Sequence, residues 1–195
     1  MSLKGKIIIV SGPSGSGKTT LAGRLLRSRR LRRHLVKSVS YTTRPPRSGE
    51  RDGRDYFFVP LSEFNRLRRN KKILEWTKYL GYYYATSRDF VEQVLAGGKH
   101  VVLCLDYRGV VQLKRAFPRQ VCSIFIIPPS LEELRARISS RCRRTGATEI
   151  QERLLMAKKE LDVARKYDYR IVNKTLSTAD RQLKELVFKI IRGRS

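Results

Sequence analysis

Ile7-Ile8-Ile9-Val10-Ser11-Gly12-Pro13-Ser14-Gly15-Ser16-Gly17-Lys18-Thr19-Thr20 is the stretch whose reading decides the fold. A β-branched run stops at Gly12, a glycine-punctuated loop follows, and Leu21, Leu25 and Leu26 then recur at helical spacing. The order is strand, loop, helix. From Gly12 to Thr19 the loop reads G-x-x-x-x-G-K-T, the P-loop pattern, in the context that the pattern needs. Small residues let successive backbone N–H groups turn inward around phosphate oxygens, and the helix adds the positive end of its dipole. Lys18 would reach the β and γ phosphates of a nucleoside triphosphate, and Thr19 would place its hydroxyl on Mg²⁺. The candidate triphosphate-binding residues are thus Gly12, Pro13, Ser14, Gly15, Ser16, Gly17, Lys18, Thr19 and Thr20.

Outward from that loop, 195 residues suit one domain with small inserted lobes and allow a sizeable core. The charge balance is unusual: 43 Lys and Arg against 17 Asp and Glu, net +26, with no acid before Glu50. Such an excess concentrates anions, whether nucleotides, nucleic acid or acidic lipid surfaces, and does not choose among them. No recognised nucleic-acid-binding motif accompanies it. Cys104, Cys122 and Cys142 lack C-x-x-C spacing, which argues against a disulfide framework or a zinc site, and Cys104 and Cys122 read as core residues. No apolar run reaches membrane-spanning length and no signal peptide is apparent, so a reducing, cytoplasmic setting and no membrane partner are expected.

Taken in order, the first helix is expected to run to about Arg33, its later part densely basic with Arg24, Arg27, Arg29, Arg30, Arg32 and Arg33. Residues 38–44 are extended, a turn-rich link through Pro45, Pro46 and Gly49 follows, and 53–59 form another strand. Leu61, Phe64 and Leu67 mark a short helix, the aromatic stretch 73–86 short strands or a hairpin, and 88–96 a helix closed by Gly97-Gly98. A buried strand at 100–106 ends in Asp106; His100, at its start, receives no catalytic role. After a helix from about Gly109 to Ala116 comes the most apolar strand, 121–127. Ser130 with Glu133, and Thr148 with Gln151, open two further helices, the second reaching about Lys166. A strand at 169–173 and a helix at 177–191 close the chain. The expected class is α/β, a P-loop NTPase core with a mainly parallel sheet.

With a triphosphate on the loop, the open question is the acceptor. Arg44 and Arg47 lie in the first insert, and Arg137, Arg141 and Arg153 on the later helices. Guanidinium groups match phosphate oxygens with paired donors and stabilise charge spread over a transferring phosphoryl group. A phosphate monoester acceptor is already ionised at neutral pH and needs no general base, which fits the lack of a convincing His or Asp base.

At these residues the chain resembles guanylate kinase over essentially its full length. The resemblance is carried by 10–20; Ser38-Val39-Ser40 through Thr42-Thr43-Arg44, Arg47, Gly49-Glu50, Gly53 and Asp55-Tyr56; Leu74-Glu75-Trp76; Gly81 through Tyr83-Tyr84 and Thr86; Asp106 and Gly109; and 128–134. It implies a core (1–37, 99–134 and 154–195), a small GMP-binding lobe (38–98), a helical lid (135–153), and the reaction ATP plus GMP giving ADP plus GDP with Mg²⁺. By position, Arg44, Arg47, Tyr56 and Tyr84 would hold the GMP phosphate, while Ser40, Glu75, Thr86 and Asp106 would surround guanine. Lys18, Arg44, Arg137, Arg141 and Arg153 would be catalytic, Asn173 would join the ATP site, and Thr19 would be the metal ligand. The chemistry agrees: guanine offers N1–H and N2–H₂ as adjacent donors to one carboxylate, and O6 as an acceptor for a hydroxyl such as that of Thr86.

The sequence departs from the family pattern in places. Cys104 stands where an aspartate linked to the Mg²⁺ shell is usual, Ala85 replaces a usual glycine beside Tyr84, and Asn173-Lys174 replaces a usual Asn-Asp. The loop from Arg141 to Thr148 lacks the usual Arg-Gly-Thr run. The leading expectation is a GMP kinase, with use of dGMP and the choice between monomer and homodimer left open. The alternatives are a catalytically weak guanylate-kinase-like module that binds phosphorylated proteins, which the intact P-loop disfavours and Cys104 favours, and a nucleotide kinase that also binds nucleic acid.

Overall fold

The computed structural model describes residues 5–79, 81–141 and 147–193, with side chains for all of these except 141 and 147–149. Five parallel strands form its central sheet: β1 (Ile7–Ser11), β2 (Leu35–Lys37), β7 (His100–Leu103), β8 (Val121–Ile127) and β9 (Tyr169–Val172), in the order β2-β7-β1-β8-β9. Strand period 2 sorts the β1 side chains onto two faces, each covered by helices, as a parallel sheet requires. Ile8 and Val10 pack with Leu21 and Leu25 of α1 (Lys18–Leu26) and Leu183 and Val187 of α7 (Leu176–Ile191). Ile7 and Ile9 pack on the other face with Leu95 of α3 (Arg88–Ala96) and Leu113 of α4 (Tyr107–Ala116). All five β1 residues are buried, so the P-loop is launched from the middle of the core.

Between β2 and β7 the chain builds a second sheet. Strands β3 (Ser40–Thr42), β4 (Phe57–Phe58), β5 (Ile73–Tyr79) and β6 (Tyr82–Ser87) run in the order β4-β3-β6-β5, with α2 (Leu61–Arg69) inserted. The aromatic stretch is indeed a hairpin, with Tyr79 opposite Tyr82 and Gly81 at φ +84° in its turn. After β8, α5 (Leu131–Arg141) and α6 (Ala147–Asp162) share a small core of Leu134, Ile138 and Ala157. Ser130 caps α5 as its sequence signature implies, its Oγ accepting from Glu133 N at 3.1 Å.

Several boundaries differ from expectation. The first helix stops at Leu26, not Arg33: residues 28–34 turn, with Leu31 N and Arg32 N both donating to Ser28 O, and Leu31 is buried as an anchor. Arginines three and four positions apart, as Arg29 is from Arg32 and Arg33, would repel one another along a helix, which disfavours its continuation. Strand β7 ends at Leu103, so Cys104 is exposed and not a core residue, whereas Cys122 is buried; Cys142 lies outside the described residues. Asp106 is not the end of the strand but the cap of α4, accepting from Gly109 N at 2.9 Å, and the helix therefore starts at Tyr107. Helix α6 begins at Ala147, which places Thr148 inside it, and it ends at Asp162 before a short 3₁₀ turn at Ala164–Lys166.

Candidate active site

The P-loop joins β1 to α1 across the C-terminal edge of the parallel sheet, where α/β folds expose ligand-binding groups. Two of its glycines are demanded by geometry. Gly12 lies at φ +142°, and a Cβ there would stand 2.5 Å from Ile126 O; Gly17, at φ +91° just before α1, would meet Asn173 Nδ2 at 2.6 Å. Asn173 is buried at the end of β9, and its Nδ2 donates to Ser16 O at 2.8 Å, pinning the loop from the neighbouring strand. Lys18 Nζ donates to Pro13 O at 3.3 Å, folded back over the loop. Ser16 Oγ and Asn173 Oδ1 are buried without a hydrogen-bond partner among the described residues. Below the loop, Tyr167 OH donates to Ser11 Oγ at 2.9 Å and Ser11 Oγ donates to Leu105 O, tying β1 to the segment that leads to Asp106.

A cavity of about 220 Å³ opens beside the loop, lined by Gly15, Gly17, Thr20, Asn173 and Leu176, and by Arg137 and Ser140 of α5. Arg137 is steadied there by its own helix, Nε donating to Glu133 Oε1 at 3.0 Å. A larger groove of about 580 Å³ runs along the outer edge of β9, but no P-loop residue lines it, so the chemistry belongs to the smaller one. Arg153 is half-buried on α6, and the side chain of Arg141 lies outside the described residues.

The second sheet presents a row of polar side chains. Strand register sets Ser40 opposite Thr86 and Thr86 opposite Glu75, so residues far apart in sequence lie side by side across β3, β6 and β5. Glu75 is 3% exposed, and Thr86 Oγ1 donates to its Oε1 at 2.5 Å. Burial pushes the Glu75 carboxyl up to about 7; the Thr86 hydrogen bond pulls the other way, and the nearby Asp106 carboxylate adds to the rise. Gly109 backs the same group, since a Cβ there would lie 3.0 Å from Glu75 Oε2. Asp106 joins the row through Thr77, whose Oγ1 donates to Asp106 Oδ2 at 3.1 Å.

Beside this row lies an arginine and tyrosine cluster. Arg44, only 8% exposed, donates to Glu50 Oε1 at 2.9 Å and to Pro45 O at 2.7 Å, with its guanidinium 5.4 Å from the centre of the Tyr56 ring. Tyr56 meets Tyr84 edge to face at 5.9 Å, and burial raises its phenol. The hydrogen bond from Arg44, with that from the Arg47 backbone N–H at 2.7 Å, holds Glu50 below the usual carboxylate range. Arg47 itself is exposed. Cys104 follows β7 and is exposed; surrounding protein raises its thiol, while Lys18 and Lys37 pull the other way. Glu160 of α6 is half-buried within electrostatic reach of both Lys18 and Asp106.

The structure therefore gathers Ser40, Glu75, Thr86 and Asp106 in one row, Arg44, Tyr56 and Tyr84 in the adjoining cluster, and the P-loop, Asn173 and Arg137 around one cavity. A model of the guanylate kinase family matches residues 4–190. The chain belongs to the guanylate kinase family. Among guanylate kinases, that of Wolbachia pipientis wMel is 40% identical over 95% of this chain and 90% of its own length. That of Bacillus anthracis is 44% identical over 95% and 89%, and that of Aromatoleum aromaticum 46% over 91% and 84%. The crystal structure of guanylate kinase from Anaplasma phagocytophilum superposes with a TM-score of 0.76 at 34% identity, covering 97% of this chain and 85% of that one.

Folding adds Thr77 to the residues that sequence motifs mark, and gives Glu50, already within the motif residues, its contact with Arg44. Glu50 carried a signal, being the first acid of the chain and three residues after Arg47 in a Pro- and Gly-rich turn. Thr77 carried none, because only strand pairing brings it to Asp106, twenty-nine positions later.

Proposed function

We propose that this guanylate kinase family member transfers the γ-phosphoryl group of ATP to the phosphate of GMP, with Mg²⁺, and that the second sheet forms its GMP lobe. The observation that carries the base assignment is the buried Glu75–Thr86 pair: an acceptor beside a hydroxyl, both inside the fold, is the pattern that reads the adjacent donors and the O6 of guanine. Adenine would leave the carboxylate unpaired, at a cost of about 1–3 kcal/mol or more. Arg44, Arg47, Tyr56 and Tyr84 then receive the GMP phosphate. Glu50 pairs with Arg44 and keeps its guanidinium extended along the aromatic rings.

On the donor side, backbone N–H groups of the P-loop and Lys18 hold the triphosphate, and the cavity seats it against Asn173 and Arg137. No cluster of three or more potential metal-ligating side chains exists among the described residues, which fits a Mg²⁺ that arrives on the triphosphate and is held by one hydroxyl, that of Thr19. When bound, Mg²⁺ neutralises the phosphate oxygens. The guanidinium groups of Arg44 and Arg137, with those of Arg141 and Arg153, supply the remaining positive charge around the transferring group. The acceptor phosphate is its own nucleophile, so no residue has to remove a proton.

The test is ADP formation with GMP, AMP, UMP and CMP compared at equal concentration. Turnover with GMP at least a hundredfold above the others is expected; equal use of AMP would overturn the base assignment. Lys18→Ala should lower kcat by about a thousandfold or more, as expected for a group that stabilises transition-state charge.

A further inference from the structure

Among the described residues, eight of the chain's 17 acids are paired elsewhere. The ion pairs of the described residues join Glu50, Asp55, Glu63, Asp89, Glu92, Asp168, Glu133 and Asp180 to basic partners outside residues 24–33. Within that segment Arg24, Arg27, Arg29, Arg30, Arg32 and Arg33 are all exposed, and none has a carboxylate partner among the described residues. The fold adds to the concentration of charge. Arg30 from this segment and Arg192 from the end of α7 lie over the same Phe188 ring, at 3.2 and 4.2 Å from its centre. Two guanidinium groups on one ring concentrate positive charge at a single point of the surface, which an anion bound there would offset.

The location separates this surface from the nucleotide site. Lys18 opens α1 at the C-terminal edge of the sheet, while the arginines cluster at and beyond its far end, about 13 Å away at 1.5 Å per residue over nine residues. The segment then feeds β2 at Leu35, opposite the first residue of β7, which puts the cluster at the N-terminal edge of the strands. A mononucleotide in the cleft does not reach it.

The composition also selects a partner. The six residues are all arginine, whose planar paired donors match phosphodiester oxygens. A segment that inserts into a membrane surface needs an apolar face, but the leucines here, Leu25, Leu31 and Leu35, are buried, and no large exposed apolar side chain of the described residues falls between 24 and 35, which leaves charge as the only means of recognition. We propose that this arginine surface, completed by Arg192, binds the phosphate backbone of nucleic acid independently of the kinase site. Recognition is of charge and spacing, not sequence, since the groups that would meet the backbone are exposed cations.

Fluorescence anisotropy with a labelled single-stranded RNA of about 20 nucleotides, titrated at several salt concentrations, tests this directly. Replacing Arg29, Arg30, Arg32 and Arg33 by Gln should weaken binding at least tenfold at low salt. It should also reduce the slope of log K against log[salt] by about 3, at roughly 0.7 for each phosphate that the variant no longer neutralises. GMP kinase turnover should be unchanged, which also reports a folded enzyme, and Lys at the same four positions should restore most of the slope. A matched variant, with Arg68, Arg69, Lys71 and Lys78 changed to Gln, should weaken binding by less than about threefold. Equal weakening in the two Gln variants would mean net charge alone binds RNA and would overturn the proposal. So would the absence of RNA binding at low salt, or arginine-dependent binding to anionic phospholipid vesicles without binding to RNA.

Discussion

Glu75 shows how one side chain couples pH to both folding and substrate. Its folded-state carboxyl titrates at about 7 because it is buried, well above the usual carboxylate range. A raised carboxyl favours the protonated fold, so its contribution to stability is complete below about pH 4.5 and is lost as pH rises through about 7. The ligand-free protein should therefore gain stability at pH 8 on Glu75→Gln, by up to about 3 kcal/mol, which thermal melts at pH 5 and pH 8 would measure. Guanine demands the opposite state, the ionised carboxylate. The KM for GMP should fall as pH rises from 6 to 8, and Glu75→Gln should raise KM about ten- to a hundredfold while flattening that dependence. Cys104 is the second telling residue, an exposed thiol just past the end of β7, within electrostatic reach of Lys18 and Lys37, at the position where the family resemblance leads one to expect an aspartate. Cys104→Asp should lower the Mg²⁺ concentration needed for half-maximal turnover, measured by titrating the metal at saturating ATP and GMP.

The P-loop is the element where backbone geometry and chemistry coincide. Gly17 adopts a left-handed φ and its missing Cβ leaves room for the Asn173 amide that holds Ser16 O. Gly17→Ala should cost roughly 2 kcal/mol or more through the left-handed strain and the displaced hydrogen bond. In a chain of this size that corresponds to a fall in Tm of about 4–8 °C, accompanied by weaker ATP binding in calorimetry. Under the proposed function the hairpin of β5 and β6 plays the equivalent part for the acceptor, because its register decides that Glu75 and Thr86 face one another. A one-residue slip would turn Glu75 to the opposite face and replace it by Leu74 or Trp76.

For the molecule as a whole, net charge +26 is a standing repulsion that the fold must overcome. The ion pairs offset only part of it, and the segment of residues 24–33 has no carboxylate partner among the described residues. Screening shortens to about 8 Å near physiological ionic strength, so added salt should stabilise this protein. A rise in Tm between about 20 and 300 mM NaCl, larger in wild type than in the arginine-depleted variant, is the expected outcome, read by differential scanning calorimetry.

The strand–loop–helix signature and the alternation of strands with helices were legible in the sequence because each is a local pattern: a period, a glycine, a cap. Local reading extended α1 to Arg33 and placed Cys104 in the core, since spacing does not report where a buried leucine or a strand end stops an element. The family, too, was written in the residues, its motifs being short and contiguous. Tertiary structure alone decided that Thr77 meets Asp106, that the Asn173 amide donates to Ser16 O, and that Arg192 joins Arg30 on Phe188. Those pairings join positions brought together by sheet register and helix packing, and no spacing along the chain encodes a distance that only folding closes.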